Sequence, residues 1–372
     1  MGVCKEEKWV RDKNGDMWDI FHLPKGKHLV FESIIISEMG LTELPDLSSV
    51  EVGLFDCSGN KLTSLIGSPK VVKDEFKCHH NQLESFESTT QEVGIFVCHE
   101  NNAPSLEGMP QNVCSIICGG ENLKILKGCP PKIKGYLRCA SSSIVNLDGA
   151  PQEIGGDLHL RANHSLENLK GGPQAVGRSV EIEYCTGLTS LEGSPKKVGS
   201  LDLFKKEGEY AGQFSCIFCG LESLDGAPDV VYGTFAVNNN SEEYNGIKDL
   251  KGSPKIVYGR FLVKQRRPVR SLEGAPTKVA VGFSTFMLDR SAFDVSGQNE
   301  CIYNEYIRGL SISPEKEKIE RIKDCFRKKQ MMKVAPVKKL GEDATEVTKG
   351  RRKLPDGIKL SKRMRRGEFN SR

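Results

Sequence analysis

The sequence predicts a mainly β repeat solenoid of about eleven stacked units with parallel strands. Three observations predict it. An L-x-x-L step recurs with anchors at Leu44, Leu65, Phe86, Leu106, Leu126, Leu147, Leu169, Leu191, Leu224, Leu250 and Leu272, mostly 20 to 22 residues apart. Self-similarity at so short a period is the mark of a solenoid, in which each unit buries its apolar side only against its neighbours. Strict alternation around Phe55 and Cys57, Phe76 and Cys78, Phe96 and Cys98, and Leu137 and Cys139 puts one short strand in each unit. The return arm carries Gly-x-Pro nine times, ending at Pro69, Pro110, Pro130, Pro151, Pro173, Pro195, Pro228, Pro254 and Pro276. Glycine and proline at that spacing mark tight turns and leave no room for a full helix on the return path.

In chain order, residues 1–30 are expected to form a capping hairpin. The stretch KWVRDKNGDMWDI sets Asn14-Gly15 between alternating segments, a hairpin signal, with Trp9, Trp18 and Ile20 available to cover the first unit. Residues 31–290 form the solenoid. Its fullest unit reads V-x-x-F-x-C-x-x-N-x-L-x-x-L-x-G-x-P. The asparagines at Asn60, Asn81, Asn101, Asn163 and Asn240 are placed to hydrogen-bond backbone groups of the turn that leaves the strand, as a polar ladder inside the coil. Longer gaps before Leu224 and Leu250 predict loops near 201–213 and 241–246. At strand spacing, eleven units span roughly 50 Å. Residues 291–332 should cap the far end with a helix, opened by Ser313 and Pro314 and carrying Ile319, Ile322 and Phe326 on one face. Residues 333–372 have few large apolar side chains and read as an extended basic arm.

These residues resemble the leucine-rich-repeat family: Val52 to Leu62, VGLFDCSGNKL, follows its strand-and-asparagine step. The short period and LTELPDL at 41–47 resemble the shortest bacterial class, known from secreted effectors, and the SLEGAP and SLEGSP arms resemble repeat proteins of tailed bacteriophages and other large DNA viruses. The resemblance covers about residues 31–290. It implies a non-enzymatic protein-interaction scaffold, a structural or assembly component of viral type. Some effectors of that class carry a ubiquitin-ligase domain after the repeats, but only about 80 residues follow the solenoid here, with Cys301 and Cys325 their only cysteines.

The thirteen cysteines are read mainly as core. Cys57, Cys78, Cys98, Cys118 and Cys139 share the second inward strand position, where later units place Leu160, Ile182, Val237 and Val263. The slot therefore asks for a modest hydrophobe and not a thiolate. Cys216-x-x-Cys219 has zinc or redox spacing, yet the two fall on the Cys and Asn slots of the repeat and no second pair stands at finger-like spacing.

The exposed face of the strands carries the candidate binding residues Lys77, His79, His99, Arg138, His159, Arg161, Glu181 and Glu183. His79 and His99 should be exposed, solvated neighbours, with His159 too distant to complete a metal set. A face of mixed sign suits a protein better than a duplex, which asks for a continuous basic row.

With 38% hydrophobic and 27% charged residues the composition is ordinary, and no apolar run reaches the roughly 20 residues of a membrane span. No membrane partner is expected. The charged start MGVCKEEKWV lacks a signal-peptide core, and Glu6 stands where myristoylation wants Ser or Thr. The expected location is the cytoplasm of the producing cell, with the virion as the alternative. From Ser313 onward 20 Lys and Arg face 9 Asp and Glu, net +11, against net −7 for residues 1–312. The arm's Lys338, Lys339, Arg351, Arg352, Lys353, Lys362, Arg363, Arg365 and Arg366 suit an acidic neighbour in a larger assembly or, alternatively, DNA or RNA. Phosphate-loop, dinucleotide, H-E-x-x-H and G-x-S-x-G motifs are absent from the sequence, so neither enzyme activity nor a cofactor is expected.

Overall fold

The computed structural model describes residues 8–208, 212–239, 246–265, 269 and 273–287. The chain divides into two units, Met1–Ser311 and Ile312–Arg372. The expected C-terminal helix and basic arm, the ladder position Asn240, most of the loop near 241–246 and the anchor Leu272 lie outside the described residues.

The body is a mainly β parallel solenoid of about eleven stacked coils. Among the described residues its long sheet has twelve strands, from Leu29–Ile35 at one edge to Gly282–Met287 at the other. Phe55, Phe76, Phe96, Ile116, Leu137, Leu158, Val180, Phe214, Phe235 and Phe261 stack at the first inward position and are all fully buried. The next inward position holds Cys57, Cys78, Cys98, Cys118 and Cys139 at 2% exposure or less. Every described L-x-x-L anchor except Leu44 is buried on the opposite wall. The core is thus a set of columns, each filled by one residue per coil.

In the long sheet, each strand up to Asn112–Gly119 runs six to eight residues, and register shifts interrupt two of the early pairings. From Lys132 onward the strand splits in two. A two-residue segment such as Lys132–Ile133 joins a second, seven-stranded sheet, and a four- to six-residue segment such as Leu137–Ala140 continues the long one.

Two turns recur and explain the repeat's spelling. In eight coils the amide of the residue after the Gly-x-Pro glycine donates to the carbonyl of the anchor, as Ser68 does to Leu65 and Ala150 to Leu147. The glycine is then the third residue of a β-turn, and in all nine copies its φ lies between +78° and +109°. That is the position where side chains other than glycine are strained. The second turn leaves the strand two residues past the cysteine column, where Glu38, His80, Glu100, Ser141, Ala162, Tyr184 and Phe218 all adopt φ of 52° to 58°.

The asparagine ladder follows directly. Asn81 accepts the Leu62 amide at 3.0 Å and donates to the Cys57 and Cys78 carbonyls, both at 3.1 Å, and Asn60 and Asn101 repeat the pattern. The ladder is not purely asparagine. Ser142 bonds to Asn163, Cys185 and Cys219 occupy the slot in their coils, and Glu121 is exposed, with Asn122 donating to the Asn101 carbonyl instead. In the last described coils the role moves one residue earlier, to the inward strand residues Asn239 and Gln265.

The N-terminal hairpin pairs Trp9–Arg11 with Met17–Asp19. Its loop is longer than a two-residue Asn-Gly turn. Asp12 organises it, accepting from the amides of Asn14 and Asp16 and from the Trp18 indole, while Gly15 takes φ +95°. Ile20 is buried and Trp18 packs against the core, but Trp9 remains 53% exposed and does not serve as a cover.

The expected loop near 201–213 contains a helix, Leu201–Glu207. Ser200 caps it by accepting the Leu203 amide, and Phe204 lies 5.8 Å from Tyr258, which stacks on Tyr232. Gly199 and Gly212 pinch the base of this excursion. Both have positive φ, and a Cβ on either would come within 2.7 Å of the other's Cα.

Candidate functional face

Register places the outward side chains in rows. Asp56, Lys77, Val97, Ile117, Arg138, His159, Glu181, Ser215 and Ala236 follow one another across adjacent strands. The next row includes Ala140, Arg161, Glu183 and Ile217. The eight face residues expected from sequence fall into two patches along these rows, separated by the apolar Val97 and Ile117.

One patch is continuous over three strands. His159 sits between Arg138 and Glu181, and Arg161 stands beside Glu183. Glu183 Oε2 lies 3.9 Å from Arg161 Nε and 4.0 Å from His159 Nε2, while Glu181 accepts from the Gln213 side chain at 3.0 Å. Arg138 lies over the Tyr136 ring at 4.7 Å, and the Arg161 guanidinium is 5.9 Å from the Tyr184 ring. Tyr184 stacks on Phe218 at 5.2 Å and is 43% exposed. The sequence reading missed this aromatic pair. Its signal was the slot two residues past the core column, where most coils place a small or polar residue and these two place rings.

The other patch joins Lys77, which pairs with Glu75 at 3.1 Å, to His79 and His99. Here the expectation of solvated histidines is corrected. The two rings stack at 4.5 Å and 9° and are half-buried, and His80 stands edge-on to both. Burial holds both His79 and His99 below the ordinary imidazole pKa, with neighbouring histidines adding to it, and His99 falls to about 4.

Cys216 and Cys219 are both buried in the core and ladder slots. Among the described cysteines Cys114 alone is exposed. No described helix is long and apolar enough to cross a membrane. No protein-family model, curated protein or solved structure matches the chain.

Proposed function

We propose that the protein is a non-enzymatic interaction scaffold, a structural or assembly component of viral or phage type, that docks a protein partner on the exposed face of its long sheet and is anchored by its basic C-terminal arm. The observation that carries this reading is the patch at Arg138, His159, Arg161, Glu181 and Glu183, flanked by the Tyr184 and Phe218 rings. Arginine beside an exposed tyrosine that stacks on a half-buried phenylalanine is the composition enriched at the centres of protein interfaces. Acidic and basic groups interleaved over adjacent strands favour a partner of mixed charge, recognised by complementarity. The resemblance to viral repeat proteins supports the assembly role, and the +11 charge of residues 313–372 supports an anchoring arm.

The test compares proteins retained by the full chain with those retained by Arg161→Glu with Glu183→Lys, using extracts or particles of the producing system. An Ile66→Ser control alters an exposed residue of the return arm. A partner lost at least tenfold with the face variant and kept by the control supports the reading, and an unchanged set rejects it.

The arm's charge favours a second reading, an adaptor that binds DNA or RNA. Full-length protein and a variant with the nine arm cations replaced by Gln would be compared on nucleic acid across a salt series. Counterion release predicts steep, arm-dependent salt sensitivity under this reading, and weak binding by both proteins rejects it.

A further inference from the structure

Consecutive residues of a strand point to opposite faces, so His79 and His80 would ordinarily be separated by the sheet. The turn after the strand brings them together. With φ at +52°, His80 swings its ring onto the side of His79, and the stacking of adjacent coils sets His99 next to both. One ligand-capable atom from each of the three side chains lies within 4.8 Å of the others. The fold does not ask for this. Glycine, glutamate, serine, alanine, tyrosine and phenylalanine fill the His80 slot in other coils, and serine and arginine fill the next outward position at Ser58 and Arg161.

We propose that His79, His80 and His99 form a binding site for a divalent transition-metal ion, with zinc the best match. Imidazole nitrogen is the favoured borderline ligand for zinc, copper and nickel. A tetrahedral ion with bonds of about 2.0–2.1 Å holds its ligand atoms roughly 3.3 Å apart. The nitrogens must therefore close by no more than about 1.5 Å, which rotation about the side-chain bonds supplies. Each lone pair lies in its own ring plane, so binding unstacks His79 from His99 as both turn toward one ion. A second observation points the same way: His79 Nδ1 is buried and has no hydrogen-bond partner. Left alone, such an atom has lost water and gained no partner, and an ion or an ion-induced ring turn would supply one. Three protein ligands leave one coordination position open for water or for a side chain of a docked partner.

The experiment uses the full-length protein stripped with chelator and titrated with Zn²⁺, and with Co²⁺ as a visible reporter. One ion per chain is expected, with the absorption of a four-coordinate nitrogen-ligated cobalt site and no sulfur-to-cobalt charge-transfer band. His80→Asn is the decisive variant, because His80 is exposed and asparagine accepts its positive φ. It should keep the metal-free melting temperature and lose at least tenfold in affinity. His99→Gln should lose as much, whereas His28→Asn, a histidine near Glu51, should bind as wild type. Absence of binding by the wild type, undiminished binding by His80→Asn, or a thiolate band would overturn the assignment.

Discussion

At the scale of single residues, what matters is how many buried groups a side chain satisfies. Asn81 holds one amide and two carbonyls of adjoining coils, so Asn81→Ala should destabilise by about 3 kcal/mol, since each orphaned buried group costs roughly 1–3. Removing the Lys77 and Glu75 pair, about a third exposed on each side, should stay within about 0.5 kcal/mol. Urea unfolding of both variants measures the contrast. The cysteine column makes a different demand. Cys78 is fully buried and its thiol reaches the Val97 carbonyl at 3.5 Å. Cys78→Val should cost under about 1.5 kcal/mol and Cys78→Ser more, and the reverse order would contradict a core role. Thiol labelling followed by mass mapping gives an independent check. Cys114 should react at pH 8, while the buried Cys57, Cys78 and Cys98 wait for unfolding and Cys129, pushed up to about 12 by burial, lags. The columns were legible because period 2 and a period near 21 fix them together. His80 was not legible. Its place depends on a left-handed backbone in a slot that shows glycine in only two coils, Gly59 and Gly120.

At the scale of elements, the hairpin and the strands could be read from alternation, and the Gly-x-Pro turns from their spelling. The helix Leu201–Glu207 could not. Seven residues are too few for an isolated helix to be stable, so its existence rests on tertiary contact and capping more than on propensity. Ser200 was the available signal, a capping residue at the point where the repeat breaks. Ser200→Ala should weaken this element by about 1 kcal/mol, seen as faster amide exchange over 201–207 with little change in the melting of the body. The split of the long strands after Asn112–Gly119 was also hidden. From Val52 onward the sequence shows a valine or isoleucine at the same place in each described coil, and only the pairing reveals that it has passed to a second sheet.

At the scale of the whole molecule, stability is a sum over neighbouring coils, and the ends are where it is weakest. The hairpin covers the edge strand Leu29–Ile35 through the bridge from Asp12 to Phe31 and the bond from the Lys13 amide to Val30, with Ile20 buried in the core. Ile20→Ala removes a buried side chain worth about 2–5 kcal/mol. Hydrogen exchange should show the first coils opening early while protection around Leu158–Arg161 persists. The solenoid itself was the most legible feature, because eleven repetitions outvote any one irregular unit. The face was legible only in part, since register shows which residues share a row but not which rings leave the strand path to join them. The pinch between Gly199 and Gly212 has a consequence for change over generations. A segment whose two feet touch can lengthen, shorten or be exchanged without altering the rise of the stack, and each doubling of its length costs only about 0.6 kcal/mol in closure entropy. That junction is a natural graft point, where the molecule can acquire new surface while its coils keep their pairing.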